Sequence, residues 1–343
     1  MTVASRISIS KGATLTLLAV SLAALVIVAT GLGFIPVSPG EVMTALTDAL
    51  RGATDSIDPL KTSVIFEVRL PRILTATAVG FGLAVAGTVF QGLLLNPLAD
   101  PFTLGVSSGA AFGAALSLLL GLSFFGQATL LLMAFAGATT TLFAVIAMSG
   151  RDGELSPTNL ILAGVIVSAI LSAGLSCIKY LADEKVSVIV FWLMGSFVAR
   201  TWTDVILTAG TGIFGFAVCL FFARDLNIMS LGSRSAKSLG VDTGKVRLIL
   251  LVTASLISAV CVSVSGVIGF VGLIIPHLMR MIIGPDNRWL LPASGLNGAI
   301  LLLAADTLTR TGLPHEVPIG VLTALIGGPI FCWIFTRSKR RRG

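Results

Sequence analysis

Charge-poor apolar runs, each about long enough to cross a bilayer, recur along the whole chain. A spanning helix needs about 20 mostly apolar residues. Runs of this kind lie near 13–35, 73–95, 103–121, 127–149, 158–181, 203–223, 246–265, 289–309 and 317–336, with a shorter, glycine-rich one near 268–283 that holds Pro276. The composition agrees: 11% of residues are charged, where a soluble domain has roughly 25%, and the mean hydropathy is +1.00. So little polar surface excludes an ordinary cytosolic enzyme, a disordered chain and a disulfide scaffold. The expected fold class is an all-α membrane protein with about ten transmembrane helices, forming a single transmembrane domain over 1–343. The longest polar outside segment, 36–69, is too short for a separate domain, and its EVMTALTDAL reads as a short surface helix. VSVIVFWLMGSFV at 186–198 is too short to span and is expected to be interfacial or re-entrant. The first run follows Arg6 and Lys11 but exceeds a signal-peptide core, so it is expected to remain as the first span.

Lysine and arginine set the expected orientation. With the N-terminus inside, inside segments carry 15 basic residues and outside segments 8, which puts both termini in the cytoplasm. The tail TRSKRRRG then anchors on anionic lipid. The net charge of +7 orients loops and does not imply nucleic-acid binding.

Lipid gives helices no hydrophobic reason to associate, so close packing needs small residues. The second span has Ala76, Gly80, Ala84, Thr88 and Gly92 at four-residue spacing, and the last span has Gly320, Ala324 and Gly328. Packing inside the bundle is the first expectation and a subunit interface the second. Cys177, Cys219, Cys261 and Cys332 lie apart in apolar stretches and read as small buried hydrophobes. A faint echo links Arg72, an apolar run and Asn96-Pro97 to Arg247, an apolar run and Pro276-His277, in the manner of inverted repeats.

Charge inside a membrane is kept only for use. Nearly all the acids fall in loops; Asp306 is the exception, and its position four residues before Arg310 predicts a pair on one helix face. His277 and His315 have no second ligand at metal spacing, so no metal or cofactor is expected. There is no nucleophile–base constellation and no GxxxxGK[ST] phosphate loop. The chain is therefore not expected to be an enzyme. It is either a channel or secondary transporter, or it draws energy from a partner. The best candidate for a partner contact is the long inside loop 224–247, where Leu231 and Leu239 are spaced as on a helix and Gly232 and Gly240 suggest two short helices with a turn.

Three motifs carry a resemblance: RLPRILTATAVGFG (69–82) continuing to NPLADPFTLGVSSGAAFG (96–113), LGSRSAKSLGV (231–241) and GFVGLIIPHLMR (269–280). The chain resembles, from about residue 10 to 337, the FecCD-type permeases, membrane subunits of binding-protein-dependent ABC importers for ferric siderophores, haem and vitamin B12. The resemblance implies the type II ABC importer permease fold. It also implies a second permease subunit (the same or a similar chain), cytoplasmic ATPase subunits, an extracytoplasmic substrate-binding protein and a bacterial or archaeal inner membrane. Matched onto this sequence, Arg69, Arg72 and Arg310 are implied to meet acidic residues of the binding protein. Arg234, Ala236, Leu239 and Gly240 are implied to couple to the ATPase, where many relatives carry an acid at the place of Ser233. Asn96, Leu98 and Thr158 are implied to narrow the cytoplasmic end of the pathway.

Overall fold

The computed structural model describes residues 10–33, 35–51, 58–150, 155–312 and 316–340. From the N-terminus, α1 (Lys11–Gly31) leads to a surface helix α2 (Pro39–Arg51). One uninterrupted helix follows, in which α3 (Pro59–Ser63), a wider π-turn (Val64–Arg69) and α4 (Leu70–Leu93) run on from each other. Next come α5 (Val106–Leu120), α6 (Ala128–Ser149), α7 (Pro157–Leu181), the short α8 (Val186–Leu193) and α9 (Trp202–Phe221). Two short helices, α10 (Ala223–Met229) and α11 (Ser233–Ser238), precede α12 (Thr243–Ser265), α13 (Val271–Ile283), α14 (Asn287–Thr311) and α15 (Ile319–Arg340).

Among the described residues, 7 helices are long and apolar enough to cross a bilayer, and α5, α13 and the apolar part of α15 are shorter. Each of the predicted runs falls on one of these helices. The second span starts earlier than expected: Asp58 caps Leu60 N–H and Pro59 occupies the first turn, so the helix begins at Pro59 and carries Arg69 and Arg72 on it, not in a loop. The predicted surface helix is α2, and 186–198 holds the eight-residue α8.

α4 is the central helix, and most of its side chains are buried by the chain itself, as are those of α12 and α14. α1 and α7 leave most of theirs exposed. The small-residue face of α4 packs internally. A Cβ on Gly80 would run into the Gly298 carbonyl of α14, and one on Gly298 into the Gly80 carbonyl, so the two backbones touch. Further along, Gly82 faces Cys261 of α12 and Gly87 faces Gly272 of α13. In α15, Gly320 packs on the Met194 and Val267 carbonyls, whereas Gly328 faces open space. Cys219 and Cys261 are buried as expected; Cys177 and Cys332 are exposed, because they lie on the outward faces of α7 and α15.

Candidate functional site: two ends of the α4–α14 pair

Arg72, at the start of α4, faces Asp306 near the end of α14. Its Nε donates to both Asp306 oxygens (3.1 and 3.1 Å) and its Nη2 to Oδ1 (2.9 Å). The other side of the same guanidinium donates to Glu316 (3.2 and 3.1 Å). One planar fork thus serves two carboxylates, a geometry that only arginine offers. The side chain of Asp306 is 2% exposed and that of Glu316 45%, so the clasp has a buried half and a wet half.

Two sequence expectations are corrected here. The partner of Asp306 is Arg72 on a neighbouring helix, not Arg310 one turn along. Arg310 instead donates to the carbonyls of Leu32 (3.0 Å) and Ala29 (2.7 Å). Arg69, expected to face a protein partner, is 4% exposed. It donates to the carbonyls of Thr30 (2.8 Å), Gly31 (3.1 Å) and Ile35. The last carbonyls of a helix lack intrahelical partners and carry the negative end of its dipole, so cations collect there. Arg69 and Arg310 both cap α1. Replacing Arg69 with Gln should therefore lower the melting temperature of the purified chain, since hydrogen bonds to a charged group are each worth about 1.5–3 kcal/mol. An unchanged melting temperature would mean that the cap is not what Arg69 does. Glu316 was not legible as a site residue; its only signal was an acid in the short 311–316 segment, next to His315, which lies outside the described residues.

At the other end of α4 and α14 sits the 224–247 segment. The two expected helices are α10 and α11, and the turns fall at Gly232 (φ 100°) and Gly240 (φ 84°). Leu231 and Leu239 are 66% and 62% exposed on either side of α11, and Arg234 and Gly240 are exposed too. Ala236 is corrected: it is fully buried, because α11 lies on the bundle through this residue, so it supports the exposed surface without belonging to it. Ser233 Oγ accepts from Arg247 Nη2 (3.1 Å), and Arg247 Nη1 donates to the Leu155 carbonyl; this arginine staples α11 to the start of α7 and α12. Asp286, ahead of α14, is held well below the usual carboxylate range by Arg288 and by the Asn227 amide.

The expected gate residues lie on two neighbouring segments. Asn96 Oδ1 accepts from Leu98 N–H (3.0 Å), Leu98 is exposed, and Thr158 is exposed in the first turn of α7. No hydrogen bond joins the three among the described residues, though the Thr103–Leu104 backbone packs on Gly164 of α7. Between the 94–105 connection, α8, α13 and α15 opens a cleft of about 670 Å³, lined by apolar groups such as Met194, Phe270 and Val321, with Asp100 as the one charged lining residue. Burial pushes the Asp100 carboxyl up, against hydrogen bonds from Thr103 and Phe102 that pull it down.

The FecCD transport family profile matches residues 19–337. The chain belongs to the FecCD transport family. Among its FecCD relatives, the uncharacterized ABC transporter permease protein YvrB of Bacillus subtilis is 44% identical, over 84% of this chain and 83% of that one. The molybdate import system permease protein MolB of Haemophilus influenzae is 41% identical, over 88% of each. A solved structure titled as an inward-facing conformation of a metal-chelate type ABC transporter superposes with a TM-score of 0.82 at 37% identity, covering 94% of this chain and 98% of that one. Other FecCD relatives are named for hemin, cobalamin and Fe(3+)-citrate import. The protein is thus a multi-pass inner-membrane permease of an ABC importer with the all-helical fold of that class.

Proposed function

We propose that the chain forms half of the translocation pathway of an ATP-driven importer. It pairs with a second permease chain, takes an iron chelate from an extracytoplasmic binding protein, and is driven by separate cytoplasmic ATPase subunits. Siderophore ranks first as cargo, haem second and cobalamin third. The names of its relatives span chelates, haem, cobalamin and molybdate. The cleft is weakly polar, so ligand choice falls to the binding protein. Both termini and 224–247 are cytoplasmic in this reading, and Arg72 and Arg310 lie at the outer face, where an acidic partner would meet them. Asn96, Leu98 and Thr158 narrow the inner end of the pathway.

The observation that carries the reading is the pair of exposed leucines flanking α11. Two large apolar side chains held in water beside a helix that is itself pinned by Ala236 and Arg247 make a preformed surface for another protein. Substituting Asp for both Leu231 and Leu239 should leave the permease folded but remove the ATPase subunits from the purified complex, and ATP-driven uptake with them. Gly240 is a poorer test site, because its φ of 84° strains any other residue whatever it touches. Retained ATPase in the double variant would overturn the docking assignment. Uptake by the permease alone, with no ATPase or ATP, would favour the rival reading of a secondary transporter or channel.

A further inference from the structure

α10 touches both members of the α4–α14 pair. Leu226 fills the space beside Gly92 of α4, where an added Cβ would lie 3.0 Å from its Cδ1. Asn227 is tied to the start of α14 by three hydrogen bonds. Its Nδ2 donates to Asp286 Oδ1 (2.8 Å), and its Oδ1 accepts from Asn287 N–H (2.9 Å) and Asn287 Nδ2 (2.8 Å). Asp286 also caps α14 through Arg288 N–H (3.1 Å). A single amide therefore supplies a donor to a carboxylate and an acceptor to two N–H groups, which no apolar side chain of that size does.

The opposite end of the same pair carries the clasp of Arg72, Asp306 and Glu316. Between the two ends, the contact of Gly80 with Gly298 brings backbone against backbone. Close-packed surfaces of this kind do not deform gradually, so α4 and α14 move together. A displacement of α11 reaches the arginine end through α12, to which Arg247 staples it, and through α10 where that helix is fastened to the pair. Asn227 is that fastening. Among the described residues, Asn287 Oδ1 is buried and accepts no hydrogen bond.

We propose that Asn227 is a positioning residue that fastens the α10–α11 segment to the α4–α14 pair, linking an ATPase docked at α11 to the arginine end. The proposal rests on the reading of α11 as the ATPase dock. It is tested on the whole importer in proteoliposomes, with its own ATPase subunits and binding protein. Hydrolysis is measured with and without the binding protein, alongside the affinity of the binding protein for the complex. In Asn227→Leu, the ATPase should stay bound and hydrolyse ATP, and the binding protein should dock as in wild type. The stimulation of hydrolysis by the binding protein should fall by about two- to thirtyfold, the range over which such networks shift coupling. Asn227→Gln keeps an amide donor for Asp286 and an amide acceptor for the Asn287 N–H groups on a side chain one carbon longer, so it should recover part of the stimulation. The proposal is overturned by wild-type stimulation in Asn227→Leu, by loss of bound ATPase in that variant, or by a defect in Asn227→Gln as large as that in Asn227→Leu. Failure of the underlying reading looks different: the wild-type complex is not stimulated, or Leu239→Asp keeps its ATPase.

Discussion

Arg72→Ala should destabilise the purified permease far more than Glu316→Ala, although both remove one member of the same clasp. Without Arg72, the Asp306 carboxylate stays buried at 2% exposure with no cation bonded to it. Breaking a buried pair from one side costs about 3–5 kcal/mol, because the remaining charge is uncompensated. Glu316 is 45% exposed, and water replaces its bonds to Arg72 when it is cut back; an exposed pair is worth about 0–1 kcal/mol. Arg72→Lys should fall between wild type and Arg72→Ala, since an ammonium keeps a cation for Asp306 but cannot fork to two carboxylates. Replacing Arg72 and Asp306 together with Leu should recover most of the loss, because an apolar pair strands no charge. Thermal unfolding in detergent, read with membrane yield, gives the order. Equal shifts for Arg72→Ala and Glu316→Ala would mean that Asp306 does not depend on Arg72. The contrast also separates stability from docking: Glu316→Ala frees the wet side of Arg72 without unfolding the chain, and is the cleaner variant for measuring how an acidic partner meets it.

The helices were legible because their cause is local. A bilayer requires about 20 apolar residues per crossing, and a charge-poor run is visible without knowing its neighbours. The turns at Gly232 and Gly240 were legible for the same reason, as glycine is the residue for a positive φ. What sequence reading got wrong depended on contacts between distant segments. Asp306 has Arg310 at helical spacing, which is a sound local rule, but the carbonyls at the end of α1 compete for Arg310 and lie more than 270 positions away in the chain. Arg69 looked exposed because its span was thought to begin at 73; once the helix starts at Pro59, Arg69 points into the end of α1. Ala236 lies within an exposed motif and is nonetheless buried, since one face of a short helix must rest on something. The lock at Asn227 had no sequence signal at all: an asparagine in a loop is ordinary, and only the approach of α14 gives it three hydrogen bonds to two residues.

Small residues at four-residue spacing occur in both α4 and α15, and the structure separates their roles in a way that mutation can read. Gly298→Val should abolish the folded permease, and Gly80→Ala should come close to doing so. At both sites the first added carbon collides with a backbone carbonyl of the facing helix, and on Gly298 it also lies 2.5 Å from the Ala84 Cβ. A side-chain tip can rotate away from an intruder, but a helix backbone moves only by parting the whole interface. The cost should therefore sit at or above the top of the about 1–3 kcal/mol typical of overpacking. It would spread along α4 and α14, because the clasp at Arg72 and the lock at Asn227 both need these helices in register. Gly328→Ala is the control from the matching pattern in α15. Nothing lies within 4 Å of its added carbon, and alanine is the better helix former by about 0.8–1 kcal/mol, so the isolated chain should be unharmed or slightly stabilised. If Gly328→Ala melts as wild type yet no longer assembles into an importer, the open face of α15 is where a second permease subunit lies. If Gly80→Ala and Gly328→Ala prove equally harmless, α4 and α14 do not touch at Gly80, and the rigid pair that joins the two ends of the molecule does not exist.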